Sequence, residues 1–225
     1  MINGVIFDAD GTLLNSMEFW ESVVVNLLKS VGVTPEDNLT EILTPMSMIE
    51  GAEYVKQKYS LSFSVDEIIE MENRIVKDFY FNSVEMRSGT KEFLDMLKSK
   101  NIPITIASAT DKYLIEGALK HLDIYKYFDA VISCSDVGEG KSSPKVYLKA
   151  CEVMGTVPNE TLVAEDSFSA LLTAKKAGFR TMAMYDVTQK RNWRELKENA
   201  DFYVKENFFK VEHCRESQDL FIFGS

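Results

Sequence analysis

The residues INGVIFDADGTLLNS, from Ile2 to Ser16, decide the fold of this chain of 225 residues. The apolar run from Val5 to Phe7 is typical of a strand that is buried on both faces. Asp8 ends the run, and Asp10 follows two positions later, so in an extended backbone both carboxylates point to the same side. Gly11 then permits a turn. Two carboxylates beside such a turn can hold a hard cation such as Mg²⁺, although an acidic turn after a strand can also be structural.

The composition excludes several classes of function. The net charge of −10 argues against binding to nucleic acids or anionic membranes, because both need a basic surface, but a few local cations can still bind an anionic substrate. Three widely spaced cysteines, Cys134, Cys151 and Cys214, predict a reducing compartment, which we take to be the cytoplasm. We expect neither a signal peptide nor a membrane span, because no apolar run is long enough.

The order of helices and strands predicts an α/β protein with a helical insert. Residues 17–82 show apolar side chains at three- and four-residue spacing without a convincing strand. Within the insert, Ser64 begins a capping box, and Thr34-Pro35 predicts another helix start. From Met86 onward, strands are predicted at 102–107, 130–133, 162–164, 181–184 and 202–204, with helices between most of them. This alternation predicts a mainly parallel sheet with helices on both faces.

The second predicted strand ends in groups that can bind an anion. Ser108, Ala109 and Thr110 follow it directly. Hydroxyl groups and the free N–H groups of the next helix can together bind a phosphate. The alternative is that Thr110 only caps that helix.

The loops after the third and fourth predicted strands carry charged residues. Lys141 lies in a loop before a helix, where a lone lysine is normally solvated. Lys145 is the weaker candidate for a site, because a cation at the start of a helix is disfavoured by the helix dipole. Glu165 and Asp166 end the fourth strand and repeat the acidic pattern of the first, with helix capping by Asp166 or Ser167 as the alternative.

The hexapeptide DADGTL, from Asp8 to Leu13, resembles the first motif of the haloacid dehalogenase superfamily of phosphohydrolases, with Asn15 where the family often has Asp. Ser108, Lys141 and the pair Glu165-Asp166 match the next three motifs in the family's order. The resemblance extends over essentially the whole chain. It implies a Rossmann-like core of residues 1–16 and 86–225, and a helical-bundle cap of residues 17–85, as in the branch of β-phosphoglucomutase and phosphoglycolate phosphatase.

The resemblance also implies a mechanism. It makes Asp8 the nucleophile, Asp10 the general acid and base, and Lys141 the cation that neutralises both nucleophile and phosphate. It assigns phosphate binding to Ser108, and by extension to the adjacent Ala109 and Thr110. It implies Mg²⁺ held by Asp8, Asp10 and Asp166, with Glu165 as a second ligand or an outer-shell residue. The function implied is a Mg²⁺-dependent phosphatase that hydrolyses a small phosphorylated metabolite through an aspartyl-phosphate, as a monomer or weak homodimer.

Two alternatives remain open at this point. A phosphosugar mutase of the β-phosphoglucomutase type has a His ten positions after the acid/base Asp, where this chain has Trp20, and a Lys where it has Asp111. The loop that would carry the mutase's cap Arg, residues 44–50, contains neither Arg nor Lys. An acidic residue in place of a cation repels a second phosphate, which favours hydrolysis. The other alternative is a catalytically weak binding or regulatory module, and the complete set of motif residues argues against it.

Overall fold

One sheet forms the centre of the chain in the computed structural model, which describes residues 2–43, 46, 48–208 and 210–213. Its strands are β1 (Gly4–Phe7), β2 (Ile104–Ser108), β3 (Ala130–Ser133), β4 (Thr161–Glu165), β5 (Arg180–Met184), β6 (Phe202–Val204) and β7 (Val211–His213). Within the described residues the sheet has seven strands in the order β3-β2-β1-β4-β5-β6-β7. Neighbouring strands are parallel except for β6 and β7, which are antiparallel. The predicted mainly parallel sheet is therefore confirmed.

The strand order brings the ends of β1, β2 and β4 together. Strand β1 lies between the other two, with Val5 opposite both Ile104 and Leu162. The chain adds β2 and β3 on one side of β1 and then crosses to add β4 on the other side. In open parallel sheets the crevice for ligands forms at the carboxyl ends of the strands where the order reverses. The loops after β1, β2 and β4 meet at such a point.

The chain divides into two compact units. The sheet unit consists of Met1–Ser16 and Val84–Ser225, and the helical unit consists of Met17–Ser83. The helical unit contains α1 (Met17–Ser30), α2 (Leu39–Leu43), α3 (Met48–Lys58) and α4 (Val65–Asn82). The sheet unit contains α5 (Thr90–Ser99), α6 (Lys112–His121), α7 (Cys134–Val137), α8 (Lys145–Met154), α9 (Phe168–Lys176) and α10 (Trp193–Asn199). None of the helices in the described part of the chain has the length and apolarity that crossing a membrane requires.

The core of the sheet unit includes both faces of β1. Val5, Ile6 and Phe7 are all fully buried, as the sequence pattern predicts for a central parallel strand. Ile6 packs in a cluster with Val163 of β4 and with Val146 and Tyr147 of α8. This packing anchors the strand whose last residue precedes Asp8.

The helical unit confirms one predicted helix start. The Ser64 hydroxyl accepts a hydrogen bond of 3.2 Å from the main-chain N–H of Glu67, and the Glu67 carboxylate accepts one of 2.7 Å from the Ser64 N–H. This reciprocal pair is the predicted capping box at the start of α4. Further along α4, Glu72 is buried although it is acidic, and burial raises its pKa to about 7.

The other predicted start, at Thr34-Pro35, is wrong. The helix there begins only at Leu39. The main-chain N–H of Glu36 donates instead to the Tyr59 hydroxyl at 3.1 Å. The Glu36 side chain pairs with Lys58 at 3.2 Å. Glu36 is therefore bound to Lys58, the last residue of α3, and to Tyr59, which follows it. These contacts hold the segment around Glu36 in a non-helical form.

Candidate active site

Lys141 joins the carboxylates that follow two neighbouring strands. Its Nζ donates hydrogen bonds to Oδ1 of Asp8 and, at 2.5 Å, to Oε1 of Glu165. The exposed fraction of the side chain is 12% for Lys141, 7% for Asp8 and 1% for Glu165. Burial by itself lowers the pKa of the Lys141 ammonium, but the charges of Asp8 and Glu165 outweigh it and raise that pKa above its ordinary value. The lysine is therefore a permanent cation between the two carboxylates.

Lys145, the weaker candidate, lies outside this arrangement. Its ammonium forms an exposed ion pair with Glu139. The two lysines are only four positions apart, but α8 begins between them, with Pro144 at its N-cap. The loop before the helix turns Lys141 toward the ends of β1 and β4, whereas Lys145 stays on the surface.

Three carboxylates form an acidic cluster at the ends of β1 and β4. Oxygen atoms of Asp8, Glu165 and Asp166 all lie within 4.8 Å of one another, and all three residues are buried. Burial, reinforced by the charge of Glu165 and opposed by that of Lys141, raises the pKa of Asp8 to about 8. Burial and then the charge of Asp8 raise the pKa of Asp166 well above its ordinary value. Ionised carboxylates are thus costly here unless a further cation is bound.

The chemistry of this cluster fits a divalent metal ion. Three carboxylates and one ammonium leave a formal excess of two negative charges in a buried space. Hard oxygen ligands of this kind are those that Mg²⁺ prefers. Helix capping does not explain the acidic pair after β4, because the N-cap of α9 is Ser167 and shows no side-chain capping bond. The cluster therefore has the charge and the ligand type that suit a divalent cation. It contains Asp8, Glu165 and Asp166 of the predicted metal residues, and Asp10 is not one of its three members.

Two hydroxyl groups hold the carboxylate of Asp10, one on each oxygen. Ser16 Oγ donates to Oδ1 at 2.6 Å, and Thr110 Oγ1 donates to Oδ2 at 2.7 Å. Both donors belong to the sheet unit. The sequence analysis did not identify Ser16 as a site residue, although Ser16 is the last residue of the stretch from Ile2 to Ser16 that decides the fold. The side chain of Asp10 is thus oriented by the loops after β1 and β2.

The loop after β2 is folded around its first hydroxyl. The main-chain N–H of Thr110 donates to Ser108 Oγ at 3.0 Å, and Ser108 is buried while Ala109 is exposed. The N-cap of α6 is Asp111, so Thr110 does not occupy that position. The alternative that Thr110 only caps the helix is therefore wrong, since its hydroxyl contacts Asp10 instead.

Arg87 supports the turn after β1, and the sequence analysis did not identify it. Its buried guanidinium donates to the carbonyl oxygens of Thr12 at 2.8 Å and Gly11 at 2.5 Å. A third bond of 2.8 Å reaches the carbonyl of Tyr185 after β5. Gly11 has a φ of 77°, which favours glycine at this turn. Since Arg87 lies 75 positions from Thr12, no local pattern signals this contact.

The chain is similar to a known family of proteins in both sequence and structure. Residues 5–184 match the family model described as haloacid dehalogenase-like hydrolase. The chain is 27% identical to the phosphorylated carbohydrates phosphatase of Thermotoga maritima, over 79% of this chain and 82% of that protein. It is 25% identical to hexitol phosphatase B of Escherichia coli strain K12, over 81% and 83% of the two chains. The crystal structure of β-phosphoglucomutase from Clostridium difficile aligns with a TM-score of 0.67 at 21% identity, over 93% of each chain, a likeness of fold alone.

Proposed function

The chain belongs to the haloacid dehalogenase-like hydrolase family, and on this premise we propose that it is a Mg²⁺-dependent phosphatase acting on a small phosphorylated metabolite. The observation that carries the proposal is the Lys141 ammonium, held between Asp8 and Glu165 at an acidic cluster that fits a divalent cation. The relatives named for phosphorylated carbohydrates and for hexitol favour a sugar or polyol phosphate as the substrate. The helical unit is proposed as the cap that selects it.

Asp8 is the proposed nucleophile. Its carboxylate attacks phosphorus in line, the bond to the leaving alcohol breaks, and an aspartyl-phosphate forms on Asp8, which splits the reaction into two steps. A phosphate dianion repels an anionic nucleophile, and the Lys141 ammonium offsets that repulsion where it contacts Asp8. Asp10 donates a proton to the leaving alcohol and then takes one from the water that hydrolyses the intermediate. Ser108, Ala109 and Thr110 are proposed to bind the phosphate oxygens.

The proposed ligands of Mg²⁺ are the Asp8 carboxylate, the main-chain carbonyl of Asp10 and the Asp166 carboxylate. When bound, the ion would neutralise charge on the phosphoryl oxygens and orient the group for attack. Oε1 of Glu165 already accepts a hydrogen bond from Lys141. We therefore propose that Glu165 serves the site chiefly by holding Lys141.

The proposed compartment is the cytoplasm, and the proposed assembly is a monomer or a weak homodimer. The two cysteines within the described residues, Cys134 and Cys151, are free thiols, as expected for a reducing compartment. Cys214 lies outside the described residues. Light scattering of the purified protein over a range of concentrations measures the assembly directly.

A test of the hydrolase begins with p-nitrophenyl phosphate. We expect turnover with Mg²⁺ and none with EDTA, followed by selective hydrolysis within a panel of sugar and polyol monophosphates. Absence of turnover on every one of these esters in Mg²⁺ would favour a binding or regulatory module.

The mutase alternative needs a separate experiment. The protein is incubated with β-glucose 1-phosphate, Mg²⁺ and a catalytic amount of glucose 1,6-bisphosphate. Asp111 stands where the mutase has a cation, so we expect free phosphate rather than glucose 6-phosphate. Glucose 6-phosphate forming faster than free phosphate would replace the hydrolase with the mutase.

A further inference from the structure

Tyr147 is a fully buried tyrosine whose hydroxyl contacts the site from inside the core. It lies on α8, and its hydroxyl donates a hydrogen bond of 2.8 Å to Oε1 of Glu165. The same oxygen accepts the bond of 2.5 Å from Lys141 Nζ. A chain of contacts therefore runs from Tyr147 through Glu165 and Lys141 to Asp8.

The ring of Tyr147 is fixed by apolar packing. It meets the ring of Phe179 edge-on, with 6.0 Å between the ring centroids. It belongs to the same core cluster as Ile6 of β1 and Val163 of β4, the strands that end at Asp8 and Glu165. The position of the hydroxyl is thus set by the core of the sheet unit, and a neutral phenol always offers a donor to an acceptor oxygen.

A donor fixed in this way has a specific consequence for Lys141. A lysine side chain loses rotamer entropy when it is fixed, so its ammonium needs firm partners to stay in one place. Glu165 has one rotatable bond more than Asp8, and its carboxylate can turn unless an oxygen is held. With the Tyr147 hydroxyl on Oε1, the Glu165 carboxylate keeps that oxygen toward Lys141.

We propose that Tyr147 is a positioning residue, which orients Glu165 so that the Lys141 ammonium stays against Asp8. The proposal rests on the proposed function, in which Lys141 neutralises the nucleophile and the phosphate. It assigns no contact between Tyr147 and the substrate. Its effect should therefore appear in the rate of the chemical step and in the mobility of one ammonium group.

The first test follows that ammonium by NMR and does not depend on activity. In protein labelled with ¹⁵N-lysine, the Lys141 ammonium signal is assigned as the one missing in Lys141→Met. In Tyr147→Phe, we expect its protons to exchange with water about tenfold faster, because the Glu165 carboxylate loses one of the donors that orient it. Unchanged exchange in Tyr147→Phe, or no slowly exchanging Lys141 signal in the native protein, would overturn the proposal.

The matched control is Tyr127→Phe. Tyr127 is also a buried tyrosine of the sheet unit, but its hydroxyl donates to Asp95 on α5. Deleting that hydroxyl should leave the exchange of the Lys141 protons unchanged. An equal acceleration in both variants would indicate a general loosening of the fold and would also overturn the proposal.

The second test is kinetic. We expect kcat of Tyr147→Phe to fall about tenfold, or about 1.4 kcal/mol, with KM changed by less than about twofold. Adding Glu165→Gln should lower kcat by a smaller factor in Tyr147→Phe than in the native protein. The reason is that Tyr147 acts on Lys141 through Glu165. A native protein without turnover refutes the proposed function alone, since the NMR test still decides the role of Tyr147. If folded Tyr147→Phe keeps the kcat of the native protein, the positioning role of Tyr147 is refuted and the proposed function is not.

Discussion

The hydroxyl of Thr110 donates a hydrogen bond of 2.7 Å to Oδ2 of Asp10, although the two residues are 100 positions apart in the chain. With Ser16 on the other oxygen, the carboxylate is held at both ends by groups of the sheet unit. The group that we propose as the acid and base is thus oriented before any substrate binds. Orientation of this kind lowers the entropy that the chemical step must overcome.

Removing the Thr110 hydroxyl should slow turnover. In Thr110→Val, Oδ2 of Asp10 loses the hydrogen bond from Thr110, so we expect kcat to fall about tenfold, the equivalent of about 1.4 kcal/mol. Thr173→Val is the matched control, because that hydroxyl donates to the Ser169 carbonyl within α9. Steady-state kinetics give kcat for both variants. Equal kcat values in Thr110→Val and Thr173→Val would contradict a role for Thr110 in orienting Asp10.

The two neighbouring lysines should differ sharply. Lys141→Met removes the cation from a buried cluster of carboxylates, so we expect turnover to fall by at least about a hundredfold. Lys145→Met removes only an exposed ion pair with Glu139, and such pairs add little to stability, so we expect kcat to stay unchanged. Both rates are measured at saturating substrate. A larger loss of kcat in Lys145→Met than in Lys141→Met would contradict the assignment of Lys141 as the cation of the site.

Asp8→Asn should abolish turnover without unfolding the protein. The amide has almost the shape of the carboxylate but cannot attack phosphorus, so we expect a loss of several orders of magnitude in kcat. Circular dichroism checks that the variant is folded. A folded Asp8→Asn protein that keeps more than about a tenth of the native rate, a difference of about 1.4 kcal/mol, is incompatible with Asp8 as the nucleophile.

Mg²⁺ should stabilise the folded protein. A ligand that binds only the folded state at about 100 times its Kd adds about 2.7 kcal/mol to the free energy of unfolding. We expect Tm to rise with Mg²⁺, to fall with EDTA, and to respond far less in Asp166→Asn. Asp123→Asn is the control, since Asp123 is an exposed partner of Lys126. Identical Tm values in Mg²⁺ and EDTA for the native protein would remove the metal from the proposal.

Stability should also depend on pH through Glu72. Burial raises its pKa from 4.5 to about 7, so between these values the folded state holds a proton that the unfolded state has lost. The contribution of Glu72 to the free energy of unfolding therefore falls as pH rises through this window and levels off above it. In Glu72→Gln this fall should become smaller by the contribution of Glu72, because the raised pKa values of Asp8 and Asp166 lower stability over the same range. In the exposed control Glu70→Gln the fall should remain as in the native protein. Tm measured from pH 4 to pH 8 gives the comparison, and parallel curves for native protein and Glu72→Gln would refute it.

Much of the fold was predictable because it depends on neighbours in sequence. The apolar run at Val5–Phe7 is continuous, and it forms the predicted buried strand. The capping box at Ser64 involves a residue only three positions away. The start at Thr34-Pro35 also has a local signal, but the Glu36 N–H bonds to Tyr59 and the Glu36 side chain pairs with Lys58. Local patterns fail where a distant side chain competes for the same backbone.

The sequence alone determined the residue types at each strand end and their order along the chain, and so the acidic turn after β1, Lys141 and the pair Glu165-Asp166. Only the tertiary structure decided which of these groups meet. The contacts of Arg87 with Gly11 and of Tyr147 with Glu165 follow from the place of β1 between β2 and β4 and from the packing of α8 on these strands. The physical reason is that such contacts join segments far apart in sequence, and their free energy exists only after the sheet has assembled in one strand order.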